Sequence, residues 1–149
     1  NIFYAGGNDG LDIMTTKLTA HNNLFMENGD KGISVGEWSQ AEITQSYFLK
    51  NKIAMEIKDQ STVTAKELII ESSLDKAINL YHKNKRYNEG GHLTASEISL
   101  IGNNTKVKAD KRSKIIMLKQ AQPNTLQNTN WAKELKQQQR TLEEQHETL

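Results

Sequence analysis

Three short openings recur at one spacing. I-S-V-G-E-W stands at 33–38, V-T-A-K-E-L at 63–68 and L-T-A-S-E-I at 93–98, so Glu37, Glu67 and Glu97 are evenly spaced (67 − 37, 97 − 67). A hydroxyl residue stands three positions before each glutamate: Ser34, Thr64 and Thr94. This is the spacing of a capping box, in which the hydroxyl accepts from the backbone N–H three residues on. The glutamate reaches back to the N–H of the cap itself. Ile33, Val63 and Leu93 precede the caps, and Trp38, Leu68 and Ile98 follow the glutamates, as a hydrophobic staple requires. Three such boxes predict three helix starts and a repeat of about 30 residues.

The segments between the boxes extend that reading. Asp12 to about Met26 reads as a helix, with Met14, Leu18 and Phe25 on one face. After Ser34, residues Trp38, Ala41, Phe48 and Leu49 form a buried stripe. Ile53, Met55 and Ile57 alternate with polar or small neighbours, which suits a short strand or a helix end. From Thr64 to about Lys83, Ile70, Leu74, Ala77, Ile78 and Tyr81 follow helical spacing. Thr94 opens a short helix that Gly102 stops. Lys106, Lys108, Lys111, Arg112, Lys114 and Lys119 lie against Asp110 alone, as on the solvated face of a further helix. Leu135, Leu142 and Leu149 recur every seven residues along a last polar helix.

The fold expected is therefore mainly α: four or five short helices in helix-loop-helix repeats of about 30 residues, plus a C-terminal helix. It divides into an extended N-terminal segment at 1–11, a helical domain at 12–122 and a C-terminal polar helix or tail at 123–149. Ile2, Phe3 and Tyr4 favour extended backbone, and G-N-D-G-L at 7–11 is a turn. A single proline among 149 residues agrees with helices.

Composition excludes several functions. With no cysteine, disulfides, thiol catalysis and cysteine zinc sites are out of reach. A net charge of +1 argues against a polyanion binder, so nucleic acid is not an expected partner. No apolar run reaches the roughly 20 residues of a membrane span. His21, His82, His92 and His146 are scattered, and no local catalytic motif occurs, so the expectation leans away from an enzyme.

The stretch L-F-M-E-N-G-D-K-G-I-S-V-G-E-W at 24–38 resembles the EF-hand family: an incoming helix end, a twelve-residue loop and an outgoing helix. The resemblance spans about 18–100. It implies calcium ligation by Asn28, Asp30, Gly32, Ser34 and Glu37, with Ile33 bridging to a partner loop. Met26 at the first ligand position and Lys31 at the tight bend imply hinges that have lost the metal, so no cofactor is expected unless calcium. The function expected is a non-catalytic helical protein-protein interaction module. A protein partner would contact an apolar groove lined by Trp38, Phe48, Ile70, Leu74 and Tyr81. The Leu135, Leu142 and Leu149 edge would be a second contact and an oligomer seam. The alternatives are a secreted bacterial effector or toxin fragment and a weak calcium-responsive switch. The compartment is cytoplasmic or secreted.

Overall fold

The computed structural model describes residues 1–147. Its chain winds into a β-solenoid in which every strand pairing is parallel. The first coil holds β1 (Ile2–Tyr4), β2 (Leu11–Met14) and β3 (Lys17–His21). β4 (Leu24–Met26) and β5 (Lys31–Gly36) open the second. The long strands β6 (Gln40–Leu49), β8 (Thr62–Glu71) and β10 (His92–Ile101) each close one coil and open the next. Between them lie β7 (Ile53–Lys58), β9 (Lys76–Tyr81) and β11 (Thr105–Ala109), and β12 (Lys114–Gln120) comes last. One sheet runs β1-β4-β6-β8-β10-β12 with β3 beside β6; the other runs β11-β9-β7-β5-β2.

The true period is shorter than the interval between the glutamates. Leu11 pairs with Ile33 and Ile33 with Met55, equal steps of 22 (33 − 11, 55 − 33), and Met55 pairs with Ile78, a step of 23 (78 − 55). Only the coil from Thr62 to its partner His92 takes 30 (92 − 62), because residues 82–90 are inserted between β9 and β10. The Glu67–Glu97 interval crosses that insertion. The Glu37–Glu67 interval joins two different corners.

Inside, like stacks on like. The rings of Phe3, Phe25 and Phe48 lie nearly parallel, 4.8 and 4.6 Å apart, and Ile70 and Leu100 continue the column. Ile33, Met55 and Ile78 form another column, and Ala41, Val63 and Leu93 a third. Left-handed residues turn each coil: Ala5, Glu27, Lys50, Ser72 and Gly102 at one corner, and Asn22, Gln45, Glu67 and Glu97 at another. The first corner is tied by asparagines. Asn51 Nδ2 donates to the Phe25 carbonyl, and Asn28 Nδ2 donates to the Phe3 carbonyl and to Asn51 Oδ1. Such ladders give buried polar groups the partners that burial demands.

Two helices follow, α1 (Pro123–Gln127) and α2 (Asn130–Glu147). Leu126, Trp131, Ala132 and Leu135 cover the outward side chains of Leu24, Met26, Tyr47, Leu49 and Ile69. The strap reaches back to the first coil, where His146 meets the Tyr4 ring edge-on at 5.0 Å. A helix of 18 residues is roughly 27 Å long, and five stacked coils at about 4.8 Å span roughly 19 Å, so α2 is long enough to run the height of the stack.

The mainly α expectation and the EF-hand resemblance are both overturned. Ser34, Thr64 and Thr94 are not helix caps. Each sits within a strand between two inward apolar residues: Ile33 and Val35, Val63 and Ala65, Leu93 and Ala95. That alternation has a period of two, and a hydroxyl facing outward satisfies it. Glu37, Glu67 and Glu97 all adopt positive φ, where no helix starts. The apolar positions assigned to helix at 64–83 divide between β8, a turn and β9. The basic stretch at 105–119 is β11, a turn and all but the last residue of β12.

Candidate functional site

The corner between the second sheet and the long strands differs from the others. In the second coil it is made by Glu37 and Trp38, both at positive φ (49° and 61°). Such backbone is a genuine outlier for a bulky residue. Trp38 is nevertheless 67% exposed. In the third coil Asp59 and Gln60 occupy the same place. Serines tie these corners together: Ser39 N donates to Ser61 Oγ at 3.1 Å, and Ser39 Oγ donates to the Gly36 carbonyl at 2.7 Å.

In the fourth coil the corner expands into the loop 82–90, which folds back over the earlier coils. Its backbone is pinned. The buried Asp59 carboxylate accepts from Lys83 N and Asn84 N through Oδ1, at 2.7 and 2.8 Å. Asp110 Oδ2 accepts from His82 N, and Gln60 Oε1 from Asn88 N. Burial would raise the Asp110 carboxyl, but the N–H groups of His82 and Arg112 and the Ser113 hydroxyl hold it below its ordinary value. Asn84 Nδ2 reaches across to Glu37 Oε1 at 3.3 Å, joining two corners far apart in sequence.

Between the loop and the corners lies an open cleft of about 730 Å³. Asp12, Met14, Glu37, Lys58 and Asp59 line its floor, and Lys83, Asn84 and Lys85 its wall. Lys58 is held in place: its chain lies over Gly36, where a Cβ would stand 2.7 Å from Lys58 Cε, and its ammonium is 3.7 Å from Glu56 Oε2. Glu56 is buried on the outer side of the second sheet, with Lys31 Nζ at 3.4 Å and Asn79 Nδ2 donating at 3.0 Å. Burial works against the Lys31 charge, yet Asp30, Glu56 and Asp9 together hold its ammonium above the usual range. Burial first, then the Glu56 carboxylate, pushes up the Tyr81 phenol. Lys83 and Lys85 have no ion pair among the described residues. A second recess of about 400 Å³, lined by residues such as Thr19, Gln40, Glu42 and Thr64, is sheet surface between side-chain rows and has no inserted wall.

The residues singled out from sequence are dispersed by this fold. Asn28 is buried in the asparagine ladder, and Asp30 pairs with Lys31 at 2.7 Å. Gly32 faces the interior, where a Cβ would stand 2.7 Å from the Ala54 carbonyl. Ser34 is buried on β5, its hydroxyl without a hydrogen-bond partner among the described residues, and Glu37 lies beyond the strand's far end. A six-residue strand is roughly 20 Å long, so these groups do not surround one point as they would in a coiled loop. Among the described residues, no three His, Asp or Glu are grouped to hold a metal ion. Phe48 and Ile70 are core neighbours, Trp38 and Leu74 are exposed at different corners, and Tyr81 is half-buried on the second sheet. No helical groove joins them. Leu135 is buried against the strands and Leu142 packs at the edge of the same cluster, while Leu149 lies outside the described residues.

Sequence reasoning missed Lys58, Asp59, Lys83, Asn84 and Lys85. The signal available was the loop itself, H-K-N-K-R-Y-N-E-G, a polar run longer than any other corner. Among the described residues, no helix is long and apolar enough to cross a membrane. Compared with known protein families, curated proteins and solved structures, the chain matches none.

Proposed function

We propose that the chain is a carbohydrate-binding module whose ligand lies in the cleft between the Glu37–Trp38 corner and the loop 82–90. The observation that carries the reading is Trp38: a bulky indole held at φ 61° and left 67% exposed, next in the chain to Glu37 of the cleft lining. A sugar ring offers one apolar C–H face and a rim of hydroxyls. An exposed indole suits the first. The second calls for donors and acceptors at fixed positions, supplied here by Asp12, Glu37, Lys58 and Lys83. Glu37 and Lys58 are already oriented by Asn84 and Glu56, so little ordering remains to oppose binding. Charges of both signs line the cleft, which favours hydroxyl recognition over a purely anionic or cationic ligand.

The test uses fluorescence. The chain has two tryptophans, and Trp131 is buried between α2, to which it belongs, and the strands beneath. A Trp131→Phe variant leaves Trp38 as the sole indole. Titration with gluco-, xylo- and uronate oligosaccharides is expected to blue-shift or quench its emission, with the response lost in Trp38→Ala. No response to any of the three at millimolar concentration would remove the carbohydrate reading.

A further inference from the structure

Charge is unevenly divided along the stack. Residues 1–81 carry seven lysines against eleven acidic residues, and residues 82–119 carry nine lysines and arginines against three, a net of −4 (7 − 11) and +6 (9 − 3). The whole-chain sum of +1 hides that polarity. The fold gathers the basic part. The loop 82–90 is stitched to the turn between β11 and β12: Arg112 Nη1 donates to the Asn88 carbonyl at 2.9 Å, Gly90 N donates to the Arg112 carbonyl at 2.9 Å, and His82 N donates to Asp110 Oδ2. Lys83, Lys85 and Arg86 on the loop therefore adjoin Lys111, Arg112 and Lys114 on the turn, and all six are exposed. The carboxylates nearby are spent. Asp110 accepts from His82 N, Arg112 N and Ser113 Oγ, and Glu89 lies 2.9 Å from His92 Nε2. None of the six cations has an ion pair among the described residues. Within the cleft, Lys58 is held by Glu56 and Glu37 by Asn84, which leaves Lys83 and Lys85 uncommitted on the wall and Asp12 on the floor.

We infer, resting on the carbohydrate reading above, that the ligand of the cleft is an acidic polysaccharide. Its ring carboxylates lie on Lys83 and Lys85, and its chain continues over Arg86, Lys111 and Lys114. Such a polymer suits both sides of the cleft. Its hydroxyls donate to the floor carboxylates of Asp12 and Glu37, and its carboxylates accept charge-assisted hydrogen bonds from the wall. A cluster of unpaired cations also draws a polyanion in from solution. A neutral glycan would leave the two lysines of the wall unused. Nucleic acid is the poorer occupant. Tyr87 is the sole aromatic ring of Phe, Trp or Tyr type between 82 and 119, so bases find no row to stack on. A phosphate on every unit would also bring like charge against Asp12 and Glu37.

Calorimetry with an oligogalacturonate and with its methyl ester of equal length separates charge from shape. The acid is expected to bind about tenfold more tightly than the ester at low salt, and the advantage should shrink as salt screens the contact. Replacing both wall lysines (Lys83→Gln with Lys85→Gln) should bring the acid to the affinity of the ester and leave the ester unchanged. Lys111→Gln with Lys114→Gln should weaken a long oligouronate and spare a disaccharide. Lys17→Gln, on the first coil, should alter neither. Unchanged circular dichroism checks that each variant folds. Acid and ester bound equally well would overturn the inference and leave the carbohydrate reading standing. Binding of neither, nor of any neutral oligosaccharide, would remove that reading and the inference with it. A single-stranded oligonucleotide held more tightly than the oligouronate would overturn it in favour of nucleic acid.

Discussion

Asn51 makes three hydrogen bonds from a position with no exposed surface. Its amide donates to the Phe25 carbonyl at 2.9 Å, and its oxygen accepts from Asn28 N and Asn28 Nδ2. An apolar side chain of similar size would fill the space and take a partner from the Phe25 carbonyl, from Asn28 N and from one of the two Asn28 Nδ2 hydrogens, the other staying on the Phe3 carbonyl. Each orphaned group costs about 1–3 kcal/mol, so Asn51→Leu is expected to lower stability by roughly 3 kcal/mol or more in urea unfolding. A loss under about 1 kcal/mol would mean that the ladder is incidental to the fold. The sequence does carry a trace of this ladder. F-x-x-N occurs at 25–28 and 48–51, and Phe3 stands one coil before Phe25. The capping-box spacing hides it because Ser-x-x-Glu and Thr-x-x-Glu also arise where a strand with an outward hydroxyl runs into a left-handed corner. A helix cap and a strand end then share one pattern.

At the scale of elements, the strap α2 and the strip beneath it depend on one another. A period of seven in Leu135 and Leu142 marks a helix edge, but it does not say that the edge docks on a sheet of the same chain. The strip is equally unreadable from its own sequence. Leu24, Met26, Tyr47 and Leu49 face outward, yet they are apolar because the strap covers them, so their strands look apolar on both faces and read as helix. Burial here has a pH signature. It raises the Tyr47 phenol well above its ordinary 10.0, and the hydrogen bond to Glu71 and the Glu71 charge add to the shift. An acid whose folded pKa is raised contributes stability that is complete below its unfolded value and disappears as pH rises through the folded one. Lys31, raised above 10.5, acts in the same direction. The melting temperature is therefore expected to fall steeply above about pH 10. Tyr47→Phe should flatten the first part of that fall. Tyrosinate absorbance should show at least one of the four phenols titrating only as the fold is lost. Titration of all four phenols in the folded protein with midpoints at the ordinary 10.0 would contradict the buried pairing.

Over the whole molecule, the strands draw their stability from neighbouring coils, each strand pairing only with the coil before and the coil after it. Such an arrangement tolerates a longer corner, provided the strands on either side keep their register. The insertion at 82–90 does so: His92 still pairs with Thr62 and Tyr81 still pairs with Lys58. It also obscures the period, because one long coil (92 − 62) among shorter ones (33 − 11, 55 − 33, 78 − 55) defeats a search for even spacing. The loop can therefore be separated from the fold. Deleting residues 83–90 removes the excess and brings the Thr62–His92 coil to the length already used from Gln40 to Thr62 (92 − 62 − 8 = 62 − 40). The corner would then have the size of the one at Asp59 and Gln60. Two backbone donors to Asp59 are lost, so the shortened chain should be less stable by about 1–3 kcal/mol. Its circular dichroism should remain that of a parallel β-structure. Glu37 loses Asn84, and the wall carrying Lys83 and Lys85 is gone, while Trp38 stays at its corner. Oligosaccharide response at Trp38 should then disappear or weaken at least tenfold (about 1.4 kcal/mol) in a chain that still folds. Undiminished binding would place the ligand on the corner alone and leave the loop without a part in recognition. Loss of the β spectrum would show instead that the loop holds the fourth coil together.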